Sequence, residues 1–190
     1  MILIPVMESM DGILNEMPEL INKLDKNSSE FGNESTAFVK KLETSAEKYR
    51  LPIAGQLSVI RGKLLCGAPE PENSNYLTRK EKKAIQKRYI LALLEKAYTC
   101  VTEYFSASRK VFDECERLVC QIIVRLKAKG VFNEYKSSSL TGAELIRLAS
   151  RDSELAPITV HVTGLVGAIN TNILFEKTMS LAGIYNKEEN

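Results

Sequence analysis

Apolar residues recur at the alternating three-and-four spacing of an amphipathic helix in four segments of the chain. Two stretches rich in turn-forming residues, 27–33 and 67–75, and a weaker one over 130–139 separate these segments. The pattern predicts an all-α fold, an elongated bundle of four to six helices that occupies residues 1–190 as a single domain.

Three prolines interrupt the first two helical segments. In the first segment, apolar side chains fill three of every seven positions, which is typical of a helix packed in a bundle. Pro5 and Pro18 lie inside that pattern, and Pro52 lies inside the second segment, 35–66. Because proline lacks an amide hydrogen and clashes with the preceding turn, we expect a kink or a separation into two helices at these positions.

The third segment predicts one long helix over residues 78–129. It contains no proline or glycine, and Thr78 with Glu81 forms the signature of a capping box at its start. Gly130 is a typical residue for the end of the helix. At about 1.5 Å per residue such a helix is roughly 75 Å long, which exceeds the needs of a compact domain of this size.

The same segment keeps nearly five heptads in register, with d positions from Ile90 and a positions from Leu94, as in a coiled coil. The e positions add a stripe of aromatic and aliphatic side chains. In a bundle this stripe is core; if the helix protrudes, it is a surface that a partner helix covers. The candidate interface residues are Tyr98, Phe105, Phe112 and Val119.

The last segment opens with a second capping box, Thr141 with Glu144, ahead of a short helix that must end before Pro157. Residues 155–175 follow with no formal charge in 21 positions. We expect a central helix buried on most sides, with a strand and membrane insertion as alternatives. Gly164 and Ala168, four residues apart, are expected to let a neighbouring helix approach closely.

Composition argues against catalysis. The chain has one histidine and no tryptophan, so the paired Glu-x-x-His motifs of a di-iron bundle are impossible. The HExxH, GxGxxG and P-loop motifs are absent, and the four cysteines form no C-x-x-C pair. We therefore expect no enzymatic activity, no metal and no cofactor. The N-terminus lacks the features of a secretion signal, which favours a cytoplasmic protein with reduced thiols.

The net charge of +2 conceals two oppositely charged regions. Residues 1–35 carry a net charge of −5, and residues 78–88 carry +5. The second region could bind phosphate groups of nucleic acid, anionic lipid head groups or an acidic protein segment, or it could be a solvated helix end. Its basic residues are Arg79, Lys80, Lys82, Lys83, Lys87 and Arg88.

These observations favour a non-enzymatic protein-interaction or assembly subunit. It would form a homo-oligomer or bind another protein through its long amphipathic helix. One alternative is a nucleic-acid-binding helical protein that uses the basic residues of 79–88. The other is a bundle that binds an apolar ligand such as a lipid between its helices, along the uncharged last segment.

Overall fold

The computed structural model describes residues 2–25, 30–70, 77–134 and 140–181. Parts of the three predicted breaks, 27–29, 71–75 and 135–139, lie outside these residues. The described chain is helical and contains no strand, which confirms the all-α fold and excludes the strand alternative for the uncharged stretch 155–175. The helices are α1 (Ile4–Leu14), α2 (Met17–Asp25), α3 (Phe31–Lys48), α4 (Ala54–Cys66), α5 (Arg79–Ala128), α6 (Val131–Glu134), α7 (Gly142–Arg151) and α8 (Ala156–Leu181).

Pro18 and Pro52 divide the first two segments as expected, whereas Pro5 lies in the first turn of α1 and divides no helix. Pro5 and Pro18 are each the second residue of a new helix, α1 and α2. There the missing amide hydrogen costs nothing, because the first amides of a helix have no partner within it. Pro52 lies in the connection between α3 and α4. Counting the single-turn helix α6, the described residues contain eight helices, which is more than the four to six expected.

Helix α5 begins and ends where its terminal residues predict. The amide and hydroxyl of Thr78 donate to Glu81 Oε2 at 2.8 and 2.7 Å, and the Glu81 amide donates to Thr78 Oγ1 at 3.3 Å. At the other end Gly130 adopts a left-handed φ of 77° and its amide donates to the Lys127 carbonyl at 3.0 Å. Between these ends the helix is continuous over 50 residues.

The buried stripe of α5 changes heptad position along the helix. It follows the d and a positions at first and the a and e positions later, because an α-helix with 3.6 residues per turn drifts about 20° per heptad. The stripe has the period of an ordinary packed helix, not that of a supercoil. Its fully or nearly fully buried members are Ile90, Leu94, Ala97, Val101, Phe105, Phe112, Cys115, Val119, Ile122 and Leu126.

The chain divides into two compact units. The N-terminal unit, 5–106, contains α2, α3 and α4, with α3 packed against both of the others. The C-terminal unit, 107–190 together with 1–4, contains α7 packed against α8. Helix α5 contributes residues to both units, and the expectation of one domain over 1–190 stays a prediction.

A buried ion pair joins α3 to α4. Glu43 is only 6% exposed, and the Nε and Nη2 groups of Arg61 donate to its two carboxylate oxygens. The hydrogen bond from Arg61 holds the pKa of Glu43 below its usual value, and a hydrogen bond from Ser58 acts in the same direction. The charged carboxylate is therefore the form that the fold favours.

Helix α3 ends in a Schellman motif that places an arginine where glycine is usual. The Leu51 amide donates to the Ala46 carbonyl at 2.8 Å, and the Arg50 amide donates to the Glu47 carbonyl at 2.9 Å. This pattern requires a left-handed residue, and Arg50 has a φ of 54°. Leu51 is buried beyond it, so the turn is retained although a side chain is unfavourable there.

The contact between α7 and α8 depends on Gly142. A Cβ atom at this position would lie 2.7 Å from both the carbonyl oxygen and Oδ1 of Asn172. It would also lie 2.9 Å from Cγ of Glu176. Only glycine therefore lets the first turn of α7 meet α8 at this distance.

Replacing Arg50 with glycine should stabilise the protein by about 1 kcal/mol, because glycine adopts the left-handed conformation without the clash of a Cβ. Urea unfolding of the Arg50→Gly variant measures the gain. Arg50→Ala is the matched control: it removes the same guanidinium but keeps the Cβ, so it should give no gain. An equal gain from alanine would show that the charge, not the backbone, is unfavourable.

Replacing Glu43 with glutamine should change how stability depends on pH. Because the folded pKa of Glu43 is lowered, its stabilising effect is present above the unfolded value of about 4.3 and is lost as pH falls through the folded pKa. Urea titrations across this range should show wild type and Glu43→Gln converging in acid. The exposed Glu95→Gln is the control and should follow wild type. A constant difference at every pH would contradict the assignment.

Candidate interaction surfaces

Three of the four candidate interface residues on α5 are buried. Phe105 and Val119 are 0% exposed and Phe112 is 7% exposed. Tyr98 is 44% exposed. The difference follows from the drift of the buried stripe, which includes the e positions only after Val101. Phe105, Phe112 and Val119 thus occupy core positions, and of this set only Tyr98 is accessible to a partner.

The basic residues lie in the first turns of α5, and we call Arg79, Lys80, Lys82, Lys83, Lys87 and Arg88 the basic cluster. All of them are exposed except Lys87, which is half-buried. The acidic residue in their midst, Glu81, bonds with Thr78 in the capping box. These bonds lower the pKa of Glu81, and they direct its carboxylate toward the helix start.

Three lysines of the basic cluster occupy the same heptad positions, a and d, that are buried farther along α5. Counting back from Ile90 and Leu94, the preceding d position is Lys83 and the preceding a positions are Lys87 and Lys80. Ile90 and Leu94 are buried, whereas Lys80 and Lys83 are exposed. The face that is apolar within the N-terminal unit therefore becomes cationic over the first turns of α5.

Helix α8 exposes an uncharged face, contrary to the expectation that it is buried on most sides. Val160 is 68% exposed, Ile169 is 64% exposed and Leu165 is 37% exposed. His161, Gly164 and Ala168 are exposed beside them. We call these six residues the neutral face. The buried side chains of α8 include Val162, Val166, Leu174 and Phe175. The apolar spacing that the sequence shows, Ile158, Val162, Leu165, Ile169 and Ile173, therefore does not mark the buried side, since only Val162 among them is buried.

The expected close approach of a neighbouring helix at Gly164 and Ala168 does not occur among the residues that the structure describes. A Cβ at Gly164 would have no neighbour within 4 Å, and Ala168 is exposed. Glycine inside a helix costs about 1 kcal/mol relative to alanine. No contact between described residues accounts for this cost at Gly164.

Helix α8 is interrupted at Gly167, whose φ of 77° and ψ of 161° are non-helical and are accessible essentially only to glycine. Two side chains bond the carbonyls that lie at the interruption. Asn170 Nδ2 donates to the Val166 carbonyl at 2.9 Å, and Thr171 Oγ1 donates to the Gly167 carbonyl at 2.8 Å. The backbone carbonyls at the interruption are therefore hydrogen-bonded by side chains.

Asn170 also binds the start of the chain. Its Oδ1 accepts from the Ile4 amide at 3.0 Å, and its Nδ2 donates to the Ile2 carbonyl at 3.0 Å. The Ile4 amide is the first of α1, so Asn170 caps that helix from a position 166 residues away. This contact explains why residues 1–4 belong to the C-terminal unit, and nothing in the local sequence indicated it.

By length and composition, α8 is the described helix that could cross a membrane. Against this role stand the interruption at Gly167 and the side chain of Asn170, which is 1% exposed and engaged with the backbone.

An open groove lies between the start of α7 and the end of α8. Its volume is about 340 Å³, and both apolar and charged side chains border it. The uncharged stretch 155–175 contributes only Ile173 to it, so the groove does not match the apolar channel expected for a lipid. Its lining residues are Leu140, Thr141, Ile173, Glu176, Lys177, Met179 and Ser180.

The four cysteines are not disulfide-bonded. Burial raises the pKa of the Cys100 and Cys115 thiols, and nearby carboxylates, Glu103 and Glu114, raise them further. Both thiols are thus held in the protonated form, which is the poorer nucleophile. Within the described ranges, no group of three or more His, Cys, Asp or Glu side chains could hold a metal ion.

No protein-family model, curated protein or solved structure matches this chain.

Replacing Asn170 with alanine should destabilise the protein by about 1–3 kcal/mol, because it removes the partner of the Ile4 amide and the donor to the Ile2 and Val166 carbonyls. Hydrogen exchange should accelerate over 2–14 and 165–175 and stay unchanged in α3. Asn172→Ala, whose amide bonds with Glu176 on the same helix, is the control and should leave exchange near the N-terminus unchanged. Equal effects from the two variants would contradict the role of Asn170.

Proposed function

We propose that this protein is a non-enzymatic assembly subunit that associates with a second copy of itself through the neutral face of α8. The observation that supports it is the exposure of Val160, Leu165 and Ile169 on a stretch of 21 residues with no charge. These side chains lie on both sides of the interruption at Gly167, and soluble monomers rarely leave large apolar surfaces uncovered.

A second copy fits this face because the face is uncharged. In a twofold contact the same patch meets itself, so any charge near the axis would face a like charge. None of the residues of the neutral face is Asp, Glu, Lys or Arg, and the nearest such residues along the chain are Glu154 and Glu176. Gly164 supports the same occupant: with no neighbour within 4 Å, it leaves room for the close approach of a partner helix.

The long helix α5 is not the contact surface in this proposal. Its apolar stripe is buried, and Tyr98 is the exposed member of the four candidates. Helix α5 instead forms part of the core of both units. The sequence-based interpretation of an assembly subunit is therefore kept, and the contact is transferred to α8.

The test is the mass of the protein in solution. Sedimentation velocity should give a mass above 21.3 kDa that rises with concentration. The variant Val160→Glu with Ile169→Glu should remain a monomer, because it places like charges opposite each other in the contact. Both side chains are exposed, so circular dichroism should show an unchanged fold.

Val124→Glu is the matched control. Val124 is 65% exposed on α5, close to the 68% of Val160, so it undergoes the same chemical change at equal exposure. It should associate as wild type does. A wild-type monomer at high micromolar concentration would overturn the proposal, and so would equal loss of association in the control. Sedimentation of the monomer with lipid vesicles would identify a membrane as the occupant instead.

A further inference from the structure

We infer that the basic cluster at the start of α5 is a binding site for the phosphate backbone of nucleic acid. This inference concerns another surface than the neutral face and does not rest on self-association. It begins from the density of charge: six basic side chains within ten residues, of which five are exposed.

The placement of the lysines is not explained by the fold. Lys80 and Lys83 occupy positions that would be core if α5 had neighbours there, yet both are exposed to solvent. Cations in the first turn of a helix also oppose its dipole. Folding alone thus disfavours the cluster, whereas an anionic ligand would neutralise both the lysines and the helix end.

The spatial arrangement suits a chain of phosphates. Arg79, Lys83 and Lys87 recur at four-residue spacing and so lie along one side of the helix, with Lys80 beside them. From residue 79 to residue 88 the helix rises about 13.5 Å. Duplex DNA carries one charge per roughly 1.7 Å of its axis, so several phosphates fall within this length.

Nucleic acid is favoured over a lipid surface because the cluster lacks apolar anchors. Helices that lie on membranes combine cations with exposed large apolar side chains. Within the described part of α5 before Tyr98, no large apolar side chain is strongly exposed, and Ile85 and Tyr89 are half-buried. The half-buried Tyr89 likewise offers little for base stacking, so the expected binding is to the backbone and independent of sequence.

The test uses the full-length protein and a short mixed-sequence DNA duplex, followed by fluorescence anisotropy at several salt concentrations. Wild type should bind at low salt, and the logarithm of its affinity should fall linearly with the logarithm of salt. The variant with Arg79, Lys80, Lys82 and Lys83 changed to glutamine should bind at least about tenfold more weakly, with a salt slope reduced by roughly 3–4.

A charge-matched control separates the site from bulk charge. Lys40, Lys63, Arg125 and Lys127 are exposed elsewhere on the chain, and their replacement by glutamine removes the same four charges. This control should retain the affinity of wild type. The test variant should also melt no earlier than wild type, because it relieves unfavourable charge at the helix start, so a loss of binding cannot be attributed to unfolding.

Three results would overturn the inference: no binding of the duplex at low salt, equal weakening in the control, or unchanged binding in the test variant. A parallel titration with vesicles of anionic lipid distinguishes the lipid alternative, since tighter binding to vesicles than to the duplex would exclude nucleic acid as the favoured ligand. Repeating the titration with duplex RNA shows which nucleic acid is preferred.

Discussion

The backbone groups at the ends of helices need hydrogen-bond partners, and this constraint determines where most elements of the fold begin and end. A chain built almost entirely of helices has many such ends, and each leaves amides or carbonyls unpaired. Thr78 and Thr141 pair the first amides of α5 and α7 through capping boxes. Arg50 and Gly130 end their helices in left-handed turns, and Asn170 serves both the start of α1 and the interruption of α8.

The sequence separation between a helix end and the group that pairs it decides whether that helix end could be predicted from the sequence. The capping boxes and Gly130 are local motifs, so both ends of α5 and the start of α7 could be placed within about one residue of their observed positions. The end of α7 could not: it lies at Arg151, well before the limit near Ala156 that Pro157 predicted. The prolines were equally informative because their effect is confined to the preceding turn. The contact of Asn170 with Ile2 and Ile4 joins residues more than 160 positions apart, and no periodicity encodes it.

The surfaces were harder to predict than the elements because burial depends on neighbours that only the fold supplies. A heptad count assigned Tyr98, Phe105, Phe112 and Val119 to one stripe. Because an α-helix has 3.6 residues per turn, heptad positions rotate gradually around the helix axis, and Tyr98 is exposed whereas the other three are buried. The uncharged sequence of α8 predicted burial on most sides, yet Val160, Leu165 and Ile169 are exposed. The periodicity of apolar residues identifies which residues share a face of a helix. It does not show whether another element packs against that face.

The two proposed surfaces differ in chemistry in a way that lets them reinforce each other. An uncharged face can join two copies without electrostatic cost, and joining them brings two basic clusters into one particle. A polyanion already bound to one basic cluster would then bind the second cluster intramolecularly. Its effective concentration at the second cluster would depend on the distance between the two clusters. The salt slope, which counts the phosphates neutralised, would rise with assembly, because each added copy contributes its own cations. If the chain self-associates, the particle would carry two such basic clusters although each copy has a net charge of only +2.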